Sequence, residues 1–525
     1  MKYPIGIQTF EQIINNGFVY VDKTDMVYAL ATEGKTYFLS RPRRFGKSLL
    51  LSTLRAYFEG KKELFKGLKI DKLEKDWHAH RVLHIDFNGV VFTRPGALED
   101  ELDKQLSTWE EEYHLPKGTR EMYGWRFEQI VQAIYTETGR GAVVLIDEYD
   151  KPLLDVLEMD PELLNNNREI LKAFYSVFKR TDAYLRFVFL TGVTKFSQVS
   201  VFSGFNQPLD ISMTEKFEAL CGITEEELHT QFAEPIREMA QAEDCTEEDL
   251  KQRLKKQYDG YHFSKQMTDI YNPFSILNAF YNKDIRDFWF ATGTPTYLIR
   301  LMNHFNEGID ELTGREYSLD EFVNYKADTE YPLPMIYQSG YLTIKNYDRE
   351  MDMFLLDFPN NEVKRGFLAM VASNYLQSGQ PMDSWIKRAV LSLRRGQIDQ
   401  FRQMLTAFLA SIPYSMRRKD EERERERYFQ YTFYLLLRLM SVYTIYIEKE
   451  QSEGRVDCVI ETPQFVYIFE FKLDGTAAGA LQQIEDKGYA REYEADARPV
   501  HKIGVNFSSE TGTIEGWEHA VKLAQ

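Results

Sequence analysis

Residues 36–58 read TYFLSRPRRFGKSLLLSTLRAYF, an apolar stretch followed by a basic turn and a second apolar stretch. This order predicts a strand that ends near Arg41, a turn that closes with Gly46 and Lys47, and a helix that begins at Ser48. The turn and the first helical residues present several backbone N–H groups, and the helix dipole adds positive potential. The stretch therefore predicts a phosphate-binding loop.

The turn departs at one position from the usual GxxxxGK[ST] pattern, because Arg41 stands where the first glycine is expected. A residue with a Cβ must keep a negative φ or accept strain, so we expect the loop to follow a variant path. Lys47 is expected to add charge at the β- and γ-phosphates, and the Ser48 hydroxyl to ligate Mg²⁺. Arg41, Arg43 and Arg44 either compensate for the missing glycine with charge or contact nucleic acid. An accidental basic turn is the alternative.

A second candidate segment is VVLIDEYD, residues 143–150, which predicts a buried strand that ends in two carboxylates. Asp147 is expected to hold Mg²⁺, and Glu148 to act as the general base for water. Adjacent carboxylates at the end of an apolar strand are costly unless a cation or donor meets them. A surface strand end is the alternative. Thr191 or Thr194, at the tip of the next strand, is a candidate γ-phosphate sensor, and a structural role for either is equally open.

The chain from Tyr20 to about Met213 alternates apolar strands with helical stretches, which is typical of an α/β domain with a parallel sheet. Its middle strands are nearly continuous apolar runs, as expected of strands buried on both faces. The predicted strands are Thr36–Arg41, Arg81–Val90, Ala142–Asp150, Arg186–Thr194 and Leu209–Met213.

Changes in the pattern of apolar and charged residues along the chain divide it into four parts. We predict an α/β core over 1–215 and a helical lid with a hairpin over 216–363. A helical linker over 364–427 contains the mixed-charge run 417–427, and a second α/β domain covers 428–525. Within the lid, Thr224 and Glu227 predict a capping box. The aromatic stretch YDGYHF, 258–263, predicts either a packing cluster or a base-stacking platform.

Composition excludes several classes of protein. The 525 residues carry a formal charge of −17 and are 43% hydrophobic, which excludes wholesale disorder and a protein that coats nucleic acid by charge alone. Three scattered cysteines favour a reducing cytosol over a disulfide framework. No signal peptide and no run of about 18 apolar residues stands out, so we expect a cytoplasmic protein with no membrane partner.

The second α/β domain contains RVDCVIETPQFVYIFEFK, residues 455–472, which predicts a hairpin around a proline turn. Glu470 and Lys472 are two residues apart and so share one face of a strand, with Asp457 opposite them. Glu450 lies close enough in sequence to join this acidic group. Carboxylates that hold Mg²⁺ beside a lysine suit metal-assisted phosphodiester hydrolysis. A cross-strand ion pair on a solvated face is the alternative.

A predicted helix, Ala480–Ala490, places Gln483 and Tyr489 towards the same end of this sheet. Residues 431–525 contain nine Lys and Arg against fifteen Asp and Glu. That balance is poor for a surface that binds DNA by itself.

Over about Tyr3–Val363 the chain resembles the AAA-ATPase-like family of the AAA+/STAND group of P-loop NTPases. The resemblance rests on YPIGIQTFEQIINNGFVYVDKT, FLSRPRRFGKSLLLSTL, VVLIDEYDKPL, FLTGVTKFSQVSVFSGFN and YQSGYLTIK with FPNNEV. It implies ATP and Mg²⁺ as ligands and the strand order 5-1-4-3-2. The exchange of glycine for arginine at position 41 is usual in that family, and the element Tyr20–Thr24 is expected near the nucleotide base. The expected nucleotide-binding residues are Arg43, Arg44, Phe45, Gly46, Lys47, Ser48, Leu49, Asp147 and Thr191.

Over about Tyr443–Phe507 the chain is similar to PD-(D/E)XK nuclease domains of the kind often fused to AAA-ATPase-like modules. By position, the resemblance implies a catalytic core of Asp457, Glu470 and Lys472. It implies Glu450 as a helper and Gln483 and Tyr489 as supporting residues. Asp457, Glu470 and Glu450 are the expected metal ligands.

These patterns lead to one principal hypothesis, an ATP-hydrolysing protein coupled to a Mg²⁺-dependent nuclease that acts on DNA or RNA. A second copy of the chain, in a homo-oligomer, is among the candidate partners. The alternative is a switch protein, in which the nucleotide drives a conformational change and the C-terminal domain only binds nucleic acid or a protein. A protein remodeller is a third possibility; it requires a ring with an arginine supplied in trans, and no such arginine is identifiable in the sequence.

Overall fold

The computed structural model describes residues 1–195, 208–292, 312–324, 331–376, 382–411 and 458–522, with separate positions between 432 and 455. The chain divides into two compact units, Met1–Val363 and Lys364–Gln525. Each unit has a five-stranded β-sheet of its own.

The helices of the first unit are α1 (Phe10–Asn15), α2 (Thr24–Glu33), α3 (Lys47–Phe58), α4 (Lys69–Leu73), α5 (Ala97–Glu112), α6 (Tyr123–Thr138), α7 (Lys151–Leu154), α8 (Pro161–Arg180), α9 (Glu225–Gln231), α10 (Ala233–Ala242), α11 (Glu247–Tyr258), α12 (Pro273–Asn282), α13 (Leu319–Val323) and α14 (Leu333–Gln338). Its strands are β1 (Thr36–Ser40), β2 (Val82–Asp86), β3 (Ala142–Asp147), β4 (Leu185–Gly192), β5 (Leu209–Asp210), β6 (Ile223–Thr224), β7 (Ile270–Tyr271), β8 (Arg315–Tyr317), β9 (Thr343–Asp348) and β10 (Met353–Asp357).

From α15 (Asn361–Leu376), which begins just before the boundary, the second unit continues with α16 (Met382–Arg394), α17 (Ile398–Ser411) and α18 (Ala477–Asp486). Its strands are β11 (Tyr446–Ile447), β12 (Glu450–Gln451), β13 (Gly454–Arg455), β14 (Cys458–Glu461), β15 (Val466–Leu473), β16 (Val500–Phe507) and β17 (Ile514–Lys522).

The sheet of the first unit is wholly parallel and has the order β2-β3-β4-β1-β5. This confirms the five predicted strands and the predicted order. Every residue of β3 is buried, as its continuous apolar run predicted. The carboxyl ends of β1 and β3 lie on one edge of the sheet with β4 between them, so this edge positions the turn after β1 beside the end of β3.

The region after β5 is mainly helical, as predicted. Its first long element, α9, begins with the predicted capping box: the Thr224 Oγ1 accepts from the Glu227 N–H, and the Glu227 carboxylate accepts from the Thr224 N–H. An apolar cluster that includes Leu228, Ile236 and Leu254 holds α9, α10 and α11 together. The predicted hairpin is also confirmed, since β9 and β10 pair antiparallel around a polar turn.

The sheet of the second unit has the order β11-β14-β15-β16-β17. The predicted hairpin is confirmed, because β14 pairs antiparallel with β15. β15 and β16 run parallel, and α18 connects them and packs on one face of the sheet. On the other face, Phe401 of α17 packs against Phe469 of β15 at 6.2 Å between ring centroids. The charged run 417–427 and most of the helix predicted over 428–440 fall outside the described residues.

Candidate functional site

The turn after β1 has the backbone that an anion-binding loop requires. Gly46, which precedes α3, has φ of 96°, a left-handed conformation that strains any residue with a side chain. A Cβ built on Gly46 would meet nothing within 4 Å, so the space beside this glycine is open and its backbone conformation alone disfavours a side chain. The first N–H groups of α3 have no partners within the helix, so this turn can offer them to a phosphate.

The candidate phosphate and metal residues meet at this point. Ser48 Oγ donates a 2.7 Å hydrogen bond to Asp147 Oδ2 across 99 residues of chain. Lys47 Nζ donates to the carbonyls of Arg41 (2.9 Å) and Pro42 (3.1 Å), which hold the ammonium inside the turn. The GKS turn and the end of β3 thus form one site, as the sequence predicted.

Burial shifts the pKa values of the charged side chains in this site. Burial lowers the pKa of the Lys47 ammonium, while the nearby charges of Glu148 and Asp147 oppose that shift. Burial likewise raises the pKa of Asp147, and the Ser48 hydrogen bond and the Lys47 charge oppose it. Buried carboxylates lose hydration free energy when they ionise, and a cation beside the two acids offsets part of that loss.

Glu148 has an unusual backbone for a glutamate, with φ of 49°. Burial raises the pKa of its carboxyl, and the charge of Lys47 opposes the shift. Within the described ranges its carboxylate takes part in no hydrogen bond or ion pair. Strained backbone at a residue with an uncommitted carboxyl is typical of functional sites.

Asp150 is a site residue that the sequence analysis missed. Its side chain is 1% exposed, and Oδ2 accepts from the Val193 N–H (3.0 Å) and from the N–H (2.6 Å) and hydroxyl (2.8 Å) of Thr194. A Cβ on Gly192 would lie 2.5 Å from Asp150 Oδ1. Asp150 thereby fixes the end of β4 against the end of β3. The only signal in the sequence was a third acid in DEYD.

The two sensor candidates both donate to protein atoms. The Thr191 hydroxyl donates to the Leu39 carbonyl at 2.9 Å, between neighbouring strands β4 and β1, and Thr194 donates to Asp150. A sensor role for Thr191 stays a prediction.

Arg41 corrects one expectation, because it neither faces the phosphate gap nor lies on the surface for nucleic acid. It is 1% exposed, and its guanidinium donates to the carbonyls of Ser40 (2.9 Å) and Ser212 (2.7 Å). The guanidinium carbon lies 4.1 Å from the centre of the Phe263 ring. Arg41 therefore ties the turn to the segment after β5.

Aromatic residues of the helical region also hold the turn. Phe45 is buried and packs edge-on against Tyr261 (4.8 Å) and Phe263 (5.5 Å). Trp289 donates its indole N–H to the Arg43 carbonyl at 3.0 Å. YDGYHF is thus a packing cluster, and the base-stacking alternative is wrong.

The element before β1 contacts the first helix of the lid. Lys23 Nζ lies 2.6 Å from both carboxylate oxygens of Glu227. Asp22 Oδ1 accepts from the backbone and hydroxyl of Thr24. The expected placement of this element near the nucleotide base stays a prediction.

The candidate nuclease residues form a second site on β15. Lys472 Nζ donates to Gln483 Oε1 at 2.6 Å, and Gln483 Nε2 in turn donates to Glu470 Oε1. Lys472 Nζ lies 3.8 Å from Glu470 Oε1, and Glu470 is 2% exposed. The predicted shared face of Glu470 and Lys472 and the predicted contact from Gln483 are therefore both present.

A glycine lets α18 reach this face. Gly504 lies opposite Glu470 in the parallel register of β15 and β16. A Cβ on Gly504 would lie 2.6 Å from the Leu481 nitrogen and still closer to the Ala477 carbonyl oxygen. Tyr489 lies elsewhere, in the apolar cluster with Val466 and Ile468 near the start of β15.

For two predicted residues of this site, the structure describes no side chain. Asp457 lies outside the described residues, and of Glu450 only the backbone, paired with Arg455, is described. Among the described residues there is no group of three or more His, Cys, Asp or Glu that could hold a metal ion. The grouping of Asp457 and Glu450 with Glu470 stays a prediction.

Comparison with known proteins gives one family-model match within each unit. The family model described as predicted AAA-ATPase matches residues 4–202, and the PD-(D/E)XK nuclease superfamily model matches residues 424–517. The chain belongs to the AAA-ATPase-like family and carries a PD-(D/E)XK nuclease superfamily domain. A relative from Azotobacter chroococcum mcd 1, described as an uncharacterized protein in the vnfD 5′ region, is 36% identical over 98% of both chains.

A solved structure is also similar at low level, that of the Aeropyrum pernix ORC1 protein in complex with DNA. It has 12% identity and a TM-score of 0.24, over 66% of this chain and 92% of that chain. In the described ranges, none of the helices combines the length and apolarity needed to cross a bilayer.

The AAA-ATPase-like unit thus presents a lysine, a hydroxyl and two acids at one edge of its sheet, which is the chemistry of a nucleotide-binding site. The nuclease-like domain presents a buried glutamate beside a lysine.

Proposed function

We propose that the AAA-ATPase-like unit binds and hydrolyses ATP at the edge formed by Lys47, Ser48, Asp147 and Glu148. The observation that supports this most directly is the 2.7 Å contact between Ser48 Oγ and Asp147 Oδ2. A hydroxyl and a carboxylate oxygen are the donor types that Mg²⁺ takes in P-loop proteins, so these residues fit the ion. When bound, Mg²⁺ neutralises charge on the phosphates.

The position of each residue at this edge determines the role that we assign to it. Lys47 and the first N–H groups of α3 bind the phosphates, and Ser48 with Asp147 would hold the ion. Glu148 is placed to accept the proton of the water that attacks the γ-phosphorus, because its carboxylate is uncommitted and its pKa is raised. Asp150 acts as a positioning residue through Thr194.

ATP turnover by the purified chain tests this proposal. We expect Lys47→Ala to weaken the binding of a fluorescent ATP analogue by about tenfold or more, since the phosphates lose their cation. Glu148→Gln should retain binding and lose about 10²-fold or more in kcat. Exposed Lys62→Ala is the charge control and should match the wild type. Full turnover in Glu148→Gln would contradict the assigned base.

We further propose that the C-terminal domain cleaves DNA with Mg²⁺, with Asp457, Glu470 and Lys472 as catalytic residues and Glu450 as a further ligand. Glu470 and Lys472 head groups lie 3.8 Å apart on one strand face, and Gln483 orients both. Glu470 supplies carboxylate oxygens of the kind Mg²⁺ prefers. Lys472 is placed to orient water and offset charge at phosphorus.

Nicking of supercoiled plasmid in the presence of Mg²⁺ tests the nuclease proposal. We expect Lys472→Ala to lose nicking by about 10²-fold or more while ATP turnover stays at the wild-type level. Lys487→Ala, an exposed lysine just after α18, is the matched control. A single-stranded RNA substrate tested in parallel distinguishes DNA from RNA. Unchanged nicking in Lys472→Ala would remove the assignment.

A nucleotide-driven switch is the second candidate. The hydrogen bond from Trp289 to the Arg43 carbonyl favours it, because it couples the phosphate-binding turn to the helical region. Nucleotide-dependent binding of DNA without cleavage by the wild-type chain would favour the switch over the nuclease.

A further inference from the structure

We propose that Arg43 supplies, from the same chain, the cation that stabilises the γ-phosphoryl group during transfer; this inference rests on the proposed ATPase function. Many P-loop enzymes take this arginine from a neighbouring subunit or partner, whereas others carry it in cis. The geometry of the arginine-rich turn points to the second arrangement.

The three arginines of the turn have different environments. Arg41 is buried and donates to backbone carbonyls. The Arg44 guanidinium carbon lies 5.3 Å from the centre of the Phe274 ring. The Arg43 side chain is exposed, and in the described parts of the chain its guanidinium takes part in no hydrogen bond, ion pair or ring contact. Arg44 is exposed too, so Arg43 is distinguished within this trio by a guanidinium that has no partner among the described residues.

The backbone of Arg43 is fixed although its side chain is not. Its carbonyl accepts from the Trp289 indole at 3.0 Å. Trp289 is 5% exposed, and its backbone N–H donates to the buried Glu362 at 2.6 Å. Because the backbone of Arg43 is fixed in this way, its side chain has less conformational freedom to lose when it reaches a phosphate.

Arg43 and the proposed general base Glu148 belong to the same edge of the sheet, because they follow β1 and β3. The hydrogen bond from Ser48 to Asp147 joins the turn that contains Arg43 to the end of β3, where Glu148 follows directly. In the proposed complex, the γ-phosphoryl group lies between the water held by Glu148 and the loop that contains Arg43. A guanidinium there can donate two hydrogen bonds to the equatorial oxygens.

The reaction balances without a further reactant. The water oxygen forms a bond to the γ-phosphorus, and the bond from that phosphorus to the β–γ bridging oxygen breaks. Glu148 accepts one proton from the water, and the products are ADP and inorganic phosphate. Arg43 forms no covalent bond; it donates hydrogen bonds and offsets the charge that spreads over the phosphoryl oxygens.

Steady-state turnover of ATP by the full chain tests the proposal. We expect Arg43→Ala to lower kcat about 10³-fold while the affinity for a fluorescent ATP analogue changes less than about threefold. Arg43→Lys should recover only a small part of kcat, since lysine lacks the planar fork. Arg44→Ala should cost less than Arg43→Ala, and Arg55→Ala, an exposed arginine on α3, should behave as wild type.

A mixing experiment separates cis from trans action. Arg43→Ala and Lys47→Ala chains are each expected to be inactive and to stay inactive when mixed. If Arg43 acted on a neighbouring chain, mixed assemblies would contain sites with both Lys47 and Arg43, and activity would return. Recovered activity would therefore overturn the inference.

Trp289→Phe examines the positioning of Arg43. This change keeps an aromatic ring and removes the indole N–H, so kcat should fall with little change in KM. Combined with Arg43→Ala it should add almost nothing, because both changes remove one interaction. If Glu148→Gln abolishes turnover while Arg43→Ala keeps the wild-type kcat, only this inference fails. No turnover by the wild-type chain would instead reject the proposed function.

Discussion

At the position where a phosphate-binding loop usually has glycine, the Arg41 guanidinium is buried and binds carbonyls of a segment more than 170 residues later. The sequence predicted that Lys47, Ser48 and Asp147 would lie at one site, because their placement follows from local spacing on a strand, turn and helix, and the structure brings Ser48 and Asp147 together. The sequence did not reveal the contacts of Arg41, because its partners are backbone carbonyls. Every residue has a backbone carbonyl, so residue types do not indicate which ones an arginine contacts. Asp150 was missed for the same reason, since it binds the backbone of Thr194.

Asp259 is a second residue with an unusual environment. It is 1% exposed, and neither carboxylate oxygen accepts a hydrogen bond from the described residues. Lys255 Nζ lies 3.9 Å away but binds Glu225 and Asp269 more closely, at 2.9 Å. Burial, together with the charge of Asp269, raises the pKa of Asp259 to about 7.

This shift predicts a pH-dependent stability. Because the folded pKa is raised, the folded chain holds the Asp259 proton more tightly than the unfolded chain. The resulting stability is fully present below about pH 4 and is lost as the pH rises through about 7. Asp259→Asn, which cannot ionise, should therefore be more stable than the wild type at pH 8, by roughly 2–4 kcal/mol. Thermal unfolding of both chains at pH 5, 7 and 8 measures the effect.

The matched control is Asp352→Asn on the exposed turn of the β9–β10 hairpin. It should give no gain at pH 8, since that carboxylate is solvated and paired with Lys265. An Asp259→Asn chain that is no more stable than wild type at pH 8 would mean that Asp259 is not buried in its neutral form.

At the scale of elements, the hairpin of β14 and β15 was predictable from alternation, and the shared face of Glu470 and Lys472 followed from it. The close approach of α18 was not, because it depends on Gly504 in a strand that is distant in sequence. A lone glycine in an apolar strand does not indicate which helix lies over it.

Gly504→Ala is expected to destabilise the nuclease-like domain by about 1–3 kcal/mol, since a methyl group would overlap the backbone of α18. Movement of α18 would also take Gln483 away from Glu470 and Lys472, so plasmid nicking should fall with stability. Gly516→Ala is the graded control, because its Cβ would meet Ala477 at a milder 3.1 Å. Equal thermal stability of the Gly504→Ala chain and the wild type would contradict this account of the packing.

At the scale of the whole molecule, the continuous apolar runs predicted the parallel sheet and a family resemblance implied its strand order. Both are confirmed. The contacts that the helical region makes with the phosphate-binding turn were not predicted. Phe45, Pro42 and Arg43 lie in a polar turn by sequence, yet they meet Tyr261, Gly340 and Trp289 from far along the chain. Local pattern predicts an element, but only long-range packing determines what covers it.

The hydrogen bond from Trp289 and the packing of Phe45 brace the turn independently of any ligand. In a flexible loop, each residue that a bound ligand immobilises would cost about 1–2 kcal/mol of conformational free energy. In this chain the contacts of Arg43 and Phe45 with the helical region impose part of that loss during folding. We therefore expect the proposed affinity of the turn for an anion to depend on these distant aromatic residues, so that substitutions of Trp289 or Tyr261 weaken anion binding.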